Sequence, residues 1–184
     1  MQGFLLVLGG LAAVFSVYVV LAYNGLVSAR QRVDEGWSGI DVQLKRRSDL
    51  VPNLVETVKA YAAHESDLFD RVSRARMQAG NADPARRAAS EQALGRALGG
   101  LLALSESYPD LKASRNFQDL HKALEGIEAD IQHARRYFNG AVRIMNTKVQ
   151  SFPSNLVARR FGFGPARFFE LDAPAGGDLP KVRF

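Results

Sequence analysis

The densest collection of residues able to do chemistry lies in IDVQLKRRSDLVPNLVETVKAYAAHE, Ile40 to Glu65. Asp41 and Lys45 stand at i and i+4, and Arg46, Arg47, Asp49, Asn53 and Glu56 crowd what reads as a turn between two helices. Guanidinium and ammonium groups interleaved with carboxylates can hold an anion, dock a charged partner, or pair with one another. In the last case they form an ion-pair network that holds a helical hairpin, with each exposed pair contributing under about 1 kcal/mol. A ligand sensor or hydrolase built on Asp41, Arg47, Asp49 and Glu56 is the catalytic alternative.

Other chemistries find little footing. The chain has no cysteine, so thiol catalysis, disulfides and a lipobox are excluded. His64, His121 and His133 are its three histidines, and none has the i+4 partner of a helical zinc motif. His64 beside Glu65 reads as a polar contact. The inward Glu with Glu-x-x-His spacing of a carboxylate metal site in a helix bundle is missing. There is no GxSxG, no Walker A loop and no dinucleotide glycine fingerprint, since the glycines of FGFG precede no Lys-Ser/Thr pair. No catalytic, cofactor-binding or metal-binding residue is assigned, no cofactor is expected, and the chain reads as a non-enzyme.

These side chains must be positioned by an unusual first element. Phe4 to Tyr23 reads FLLVLGGLAAVFSVYVVLAY, without a charge. As a helix its twenty residues reach roughly 30 Å, the thickness of a bilayer's hydrocarbon core. A cleavable signal peptide would carry a basic leader and a shorter apolar core, and a buried soluble helix seldom stays apolar on every side for this length. The run reads as a single-pass transmembrane anchor, residues 1–24. Arg30 and Arg32, then Lys45, Arg46 and Arg47, follow it, while the N-terminal flank has no basic side chain. The positive-inside rule therefore favours a cytoplasmic domain.

About 160 residues remain after the anchor, enough for one domain with a real core. A formal charge of +5 and a pI near 9.7 permit contact with anionic lipid, but the acidic and basic residues are interspersed, and nucleic-acid binding is not expected.

Hydrophobic periodicity then places helices along the domain. Leu26, Arg30, Val33, Trp37, Ile40, Leu44 and Arg47 recur at spacings of four and three. The two arginines on this stripe are expected to pack their stems and send their heads out to water or to acidic groups. Gly36 and Gly39 flank Trp37 and would let another helix approach it closely. Pro52 reads as a break, with a new helix starting around Leu50 to Asn53 and Asp49 as its cap. That helix carries Val51, Leu54, Val58, Tyr61, Glu65, Leu68, Val72, Ala75 and Ala79 on one stripe. Gly80 to Pro84 should end it, with Asp83 and Pro84 opening a third helix over about Ala85 to Ser107 on Leu94, Leu98, Leu101 and Leu102. Tyr108, Pro109 and Asp110 make the next turn, and Ser114 should cap a fourth helix. Its stripe of Phe117, Leu120, Leu124, Ile127, Ile131, Ala134, Phe138, Ala141, Met145 and Lys148 persists for more than four heptads. No stretch alternates like a strand. The expected fold is all-α: an N-terminal transmembrane helix continuing into an antiparallel four-helix bundle, residues 25–151.

Phe152 and Pro153 close the last helix. The tail, residues 152–184, mixes Phe161, Phe163, Phe168, Phe169 and Phe184 with Arg159, Arg160, Arg167, Lys181 and Arg183. The aromatic residues should fold back on an end of the core or dock a partner, with a lipid surface or nucleic acid as the alternatives.

YNGLV at Tyr23 to Val27, the Ile40 to Glu65 run, YPDLKAS at Tyr108 to Ser114, Phe152-Pro153 and the FGF and FFE elements of the tail together resemble the LemA family of bacterial membrane proteins. The resemblance covers nearly the whole chain. It implies one N-terminal anchor, a helical bundle and a loose link to cell-envelope processes, and it implies no established enzymatic activity. Some members resemble lipoproteins whose domain lies outside the cytoplasm, so the side of the membrane stays open. The resulting functional expectation is a membrane-anchored interaction or scaffold protein that forms homo-oligomers and docks unidentified protein partners.

Overall fold

The structure, a computed structural model, describes residues 1–81 and 86–170. Its order is α1 (Gln2–Lys59), α2 (Ser66–Asn81), α3 (Arg87–Ser105), α4 (Pro109–Ala113), α5 (Arg115–Gln150) and α6 (Ser154–Arg160). There is no strand among the described residues, so the fold is all-α. Two compact units are present, each drawn from separate stretches of chain. One comprises Met1–Ile40 and His133–Phe168; the other comprises Asp41–Gln132 and the segment beginning at Phe169.

In the first unit, the N-terminal part of α1 is the apolar run. Phe4, Leu6, Val7, Leu11, Val14, Phe15, Val17 and Val20 are all exposed. An 18-residue window of this helix has a mean hydropathy of 2.6, with none of it buried inside the protein. Exposed apolar side chains on every side of a helix suit a surround of lipid rather than water. Farther along, Gly36 is buried, and a Cβ there would lie 3.0 Å from the Phe138 Cα and 3.2 Å from the Tyr137 ring. The missing side chain is what lets α1 and α5 meet. Trp37 packs on Phe138 at 5.7 Å between ring centroids. Gly39 has no such neighbour, so close approach depends on Gly36 alone of the pair.

The second unit has a core of Val51, Leu54 and Val58 from α1, Leu68, Phe69, Val72, Ala75 and Ala79 from α2, Leu94, Leu98 and Leu101 from α3, Leu111 from α4, and Phe117 and Leu124 from α5. Burying each of the larger aliphatic side chains contributes about 1.5 to 3 kcal/mol. Most of the periodic positions reach the core, but they are divided between helices differently from the expectation. Pro52 does not end a helix. The chain stays helical to Lys59 and turns over Ala60–Glu65, where Ala62 is buried while Tyr61 and Glu65 are exposed.

The physical reason is 28 residues away. Proline has no N–H, so the carbonyl of Ser48, four residues before Pro52, lacks its usual helical donor. The Arg76 Nε of α2 donates to that carbonyl at 2.7 Å. A tertiary contact thereby supplies the bond that the local sequence removes.

Asp83 and Pro84, expected to open the third helix, lie outside the described residues. The turn expected at Tyr108–Asp110 falls earlier, at Glu106 and Ser107, and Pro109 and Asp110 instead open the short helix α4. Ser114 has extended φ and ψ of −65° and 124°, and its carbonyl accepts from the Gln118 N–H at 3.0 Å, the geometry of an N-cap for α5.

Candidate functional site

Ion pairs in the second unit are centred on Arg47, a position flanked on the α1 stripe by the buried residues Leu44 and Val51. Arg47 is 3% exposed, and its guanidinium head is inside rather than at the surface. Nη2 donates to the Glu91 carboxylate at 2.6 Å and to the Glu91 carbonyl oxygen at 3.1 Å; Nη1 donates to Glu128 at 2.7 Å. Glu91, also 3% exposed, accepts from the Arg87 Nε at 3.0 Å through its other oxygen. Arg87 in turn reaches Asp41 at 3.2 Å. Five charged side chains from α1, α3 and α5 thus form one chain of bonds. A buried arginine is tolerated only with such compensation, since removing one partner of a buried pair costs about 3 to 5 kcal/mol.

Of the seven residues singled out in the sequence, Asp41, Arg46 and Arg47 make ion pairs, all with partners outside the Ile40–Glu65 run. Arg46 is exposed and approaches Asp130 at 3.9 Å. Lys45, Asp49, Asn53 and Glu56 are exposed. Because α1 is continuous here, these residues are distributed around one helix rather than gathered at a corner. The reach of Arg47 to Glu91 and Glu128 was not legible from the cluster itself. The available signal was a glutamate in the apolar stripe of α3, where Glu91, Leu94, Leu98 and Leu101 repeat at spacings of three and four. Chemically, the network is suited to holding helices together: each oxygen of the Glu91 carboxylate is held by a guanidinium group, one from α1 and one from α3.

Outside this network, His121 lies in a cleft of about 410 Å³ with Glu106, Lys112 and Phe117, and its Nε2 is 3.7 Å from Glu125. No grouping of three or more His, Asp or Glu with the geometry to hold a metal ion occurs among the described residues.

In the first unit, the aromatic tail meets the end of the apolar run. After α6 the chain reverses at Gly162, which has a φ of +74°, and the Phe163 N–H bonds to the Ala158 carbonyl at 2.9 Å. This closes the helix with a left-handed glycine and returns Phe163 toward α1. Tyr23 meets Phe161 and Phe163 edge-on, at 4.9 and 5.7 Å between centroids. Leu26, Val157 and Ala158 are buried together, joined by Tyr18, Val19, Ala22, Val149 and Phe163. The Asn146 side chain then fastens the following segment through two bonds to the backbone of Ala166, at 2.8 and 3.0 Å. Phe168 is exposed and Phe169 is buried within the second unit.

Burial lowers the pKa of Arg135 in the first unit, and that of Tyr137 in the same unit is raised. Tyr137 donates to Glu35 at 3.1 Å, and that hydrogen bond, followed by partial desolvation and the Glu35 charge, raises the phenol pKa; Arg32 pulls the other way.

The chain is similar to the Magnetosome protein MamQ 2 of Paramagnetospirillum magneticum, at 26% identity over 91% of this chain and 71% of the relative. The Magnetosome protein MamQ of Magnetospirillum gryphiswaldense is 25% identical with the same coverage. Protein LemA of Metamycoplasma hominis is 23% identical over 80% of this chain and 68% of its own. The LemA family model matches residues 36–184, which contain both the Arg47 network and the α6 region. Helical without strands among its described residues, carrying an apolar helix of membrane-spanning length and matched over most of its residues by that model, the chain belongs to the LemA family.

Proposed function

We propose that this protein is a non-catalytic, membrane-anchored interaction or scaffold component of the bacterial cell envelope, and that it self-associates. The observation that carries the reading is the continuity of α1. One uninterrupted helix contains both the apolar run and the core positions Leu44, Val51, Leu54 and Val58. The same element therefore serves as anchor and as structural core, an economical design for holding a docking surface at a membrane. The deepest polar groups support it, because Arg47 and Glu91 are spent on internal bonds. The basic residues after the span favour a cytoplasmic domain.

Size-exclusion chromatography with light scattering on the detergent-purified full chain tests the central claim. An oligomer that dissociates on dilution is expected; a monomer at every concentration overturns self-association. Protease accessibility of a C-terminal tag in intact spheroplasts tests the side of the membrane. Protection that is lost on lysis supports the cytoplasmic assignment, and digestion of intact spheroplasts overturns it.

A further inference from the structure

Among the described residues, the exposed apolar side chains of the first unit do not stop at the N-terminal helix. Phe152, Leu156 and Phe161, at the two ends and outer side of α6, are 79%, 55% and 50% exposed. On α6, Leu156 shares a side with Arg159 and Arg160 by i+3 and i+4 spacing, while Val157 and Ala158 face inward. Both arginines are exposed, and the Arg160 head lies 5.9 Å from the Phe161 ring. The helix thus has an inner face seated on the protein and an outer face combining apolar and cationic groups.

What the inner face is seated on decides what should cover the outer one. Val157 and Ala158 cluster with Leu26, and Tyr18, Val19 and Ala22 pack against them. Tyr18, Val19 and Ala22 belong to the uncharged run itself. Tyr18 precedes Tyr23, the last residue of that run, by a distance of about 7 Å along a helix. Amphipathic helices at a bilayer surface sit at about 5 to 10 Å depth, with arginines turned to the headgroups. Tyr23, packed on Phe161 and Phe163, occupies the position where aromatic side chains collect at a membrane boundary.

We propose that α6 and its flanks form a second membrane contact beside the anchor: Phe152, Leu156 and Phe161 enter the lipid interface, and Arg159 and Arg160 bind the phosphates of anionic lipid. The contact fixes the depth at which α1 leaves the bilayer. This inference rests on the reading of Phe4–Tyr23 as embedded in the membrane.

The test uses full-length protein reconstituted in phosphatidylcholine vesicles with and without phosphatidylglycerol, with bromine placed on the acyl chains either near the headgroup or deep. The sole native tryptophan, Trp37, lies well beyond Tyr23 and is the reference outside the bilayer. Single tryptophans are then introduced in a Trp37→Phe background at Leu156→Trp, Phe161→Trp and Leu11→Trp. The expected result is loss and blue shift of emission at 156 and 161 with shallow bromines, quenching at 11 with deep ones, and none at Trp37. Changing Arg159 and Arg160 to Gln should reduce the shallow quenching only where phosphatidylglycerol is present. Quenching at 11 but not at 156 or 161 overturns the inference, leaves the anchor standing and points to a protein partner for the outer face. No quenching at any position overturns both. Shallow quenching that ignores the Arg changes in both lipids overturns the anionic-lipid assignment.

Discussion

The bridge from Arg76 to Ser48 makes a quantitative claim about a proline inside a helix. Pro52 removes the donor for the Ser48 carbonyl, and its ring pushes that carbonyl off the helix axis, a local cost of about 3 kcal/mol. Arg76 meets the displaced oxygen at 2.7 Å in a half-buried setting. A hydrogen bond from a charged group contributes about 1.5 to 3 kcal/mol, and partial exposure places this one near the lower end, at about 1 to 2 kcal/mol. Arg76→Met keeps the packing of the stem and deletes the donor, so it should destabilise by that amount. In a Pro52→Ala background, the backbone N–H restored at position 52 serves the same carbonyl, and Arg76→Met should then cost less than about 0.5 kcal/mol. Urea unfolding in mild detergent, followed by far-ultraviolet circular dichroism, gives the four stabilities of the cycle. Equal costs of Arg76→Met with and without Pro52 would refute the reasoning, because they would show that Arg76 acts independently of the missing N–H.

Three other outcomes follow from the geometry. Glu91→Gln should destabilise by about 3 to 5 kcal/mol by leaving Arg47 undercompensated, whereas Arg47→Met with Glu91→Leu should cost less than that single change; the same unfolding assay reads both. Gly36→Ala should destabilise by about 1 to 3 kcal/mol because the new methyl meets the Phe138 backbone, while Gly39→Ala, with open space around it, should be neutral or stabilising by up to about 1 kcal/mol; opposite or equal shifts would contradict the contact at Gly36. Because the folded Tyr137 pKa is raised, its bond to Glu35 contributes stability that is intact below the ordinary tyrosine value of about 10 and is lost as pH rises through the folded value. Glu35→Gln should bring the Tyr137 resonance titration down in pH, and an unmoved titration would exclude Glu35 as the cause.

Some of the candidate site was legible before any fold was known. The cluster containing Asp41, Arg46 and Arg47 was visible as a density of opposed charges, but its partners were not. Arg87, Glu91, Glu128 and Asp130 are distant in sequence: the shortest separation within a bonded pair is 44 positions, from Arg47 to Glu91. Whether an arginine on an apolar stripe sends its head to water or inward depends on what the opposite helix offers. At Arg47 that is a glutamate on the α3 stripe; Arg30, about two helical turns past the end of the apolar run, remains exposed as expected.

Elements with a local cause could be read from the chain alone. Twenty uncharged residues define a membrane-length helix because hydrophobic length is additive along the chain. The repeating Phe117, Leu124, Ile131, Phe138, Ala141 and Met145 define one buried face of α5 because helical period alone brings them together. Where α1 ends, which charges are buried and where α6 lies were settled by tertiary packing. Pro52 is tolerated because Arg76 supplies a donor from another helix, Arg47 is buried because Glu91 and Glu128 meet it there, and α6 rests on Tyr18 to Leu26 because Gly162 turns Phe163 back. Each outcome depends on a group distant in sequence, and local periodicity carries no record of which distant group will arrive.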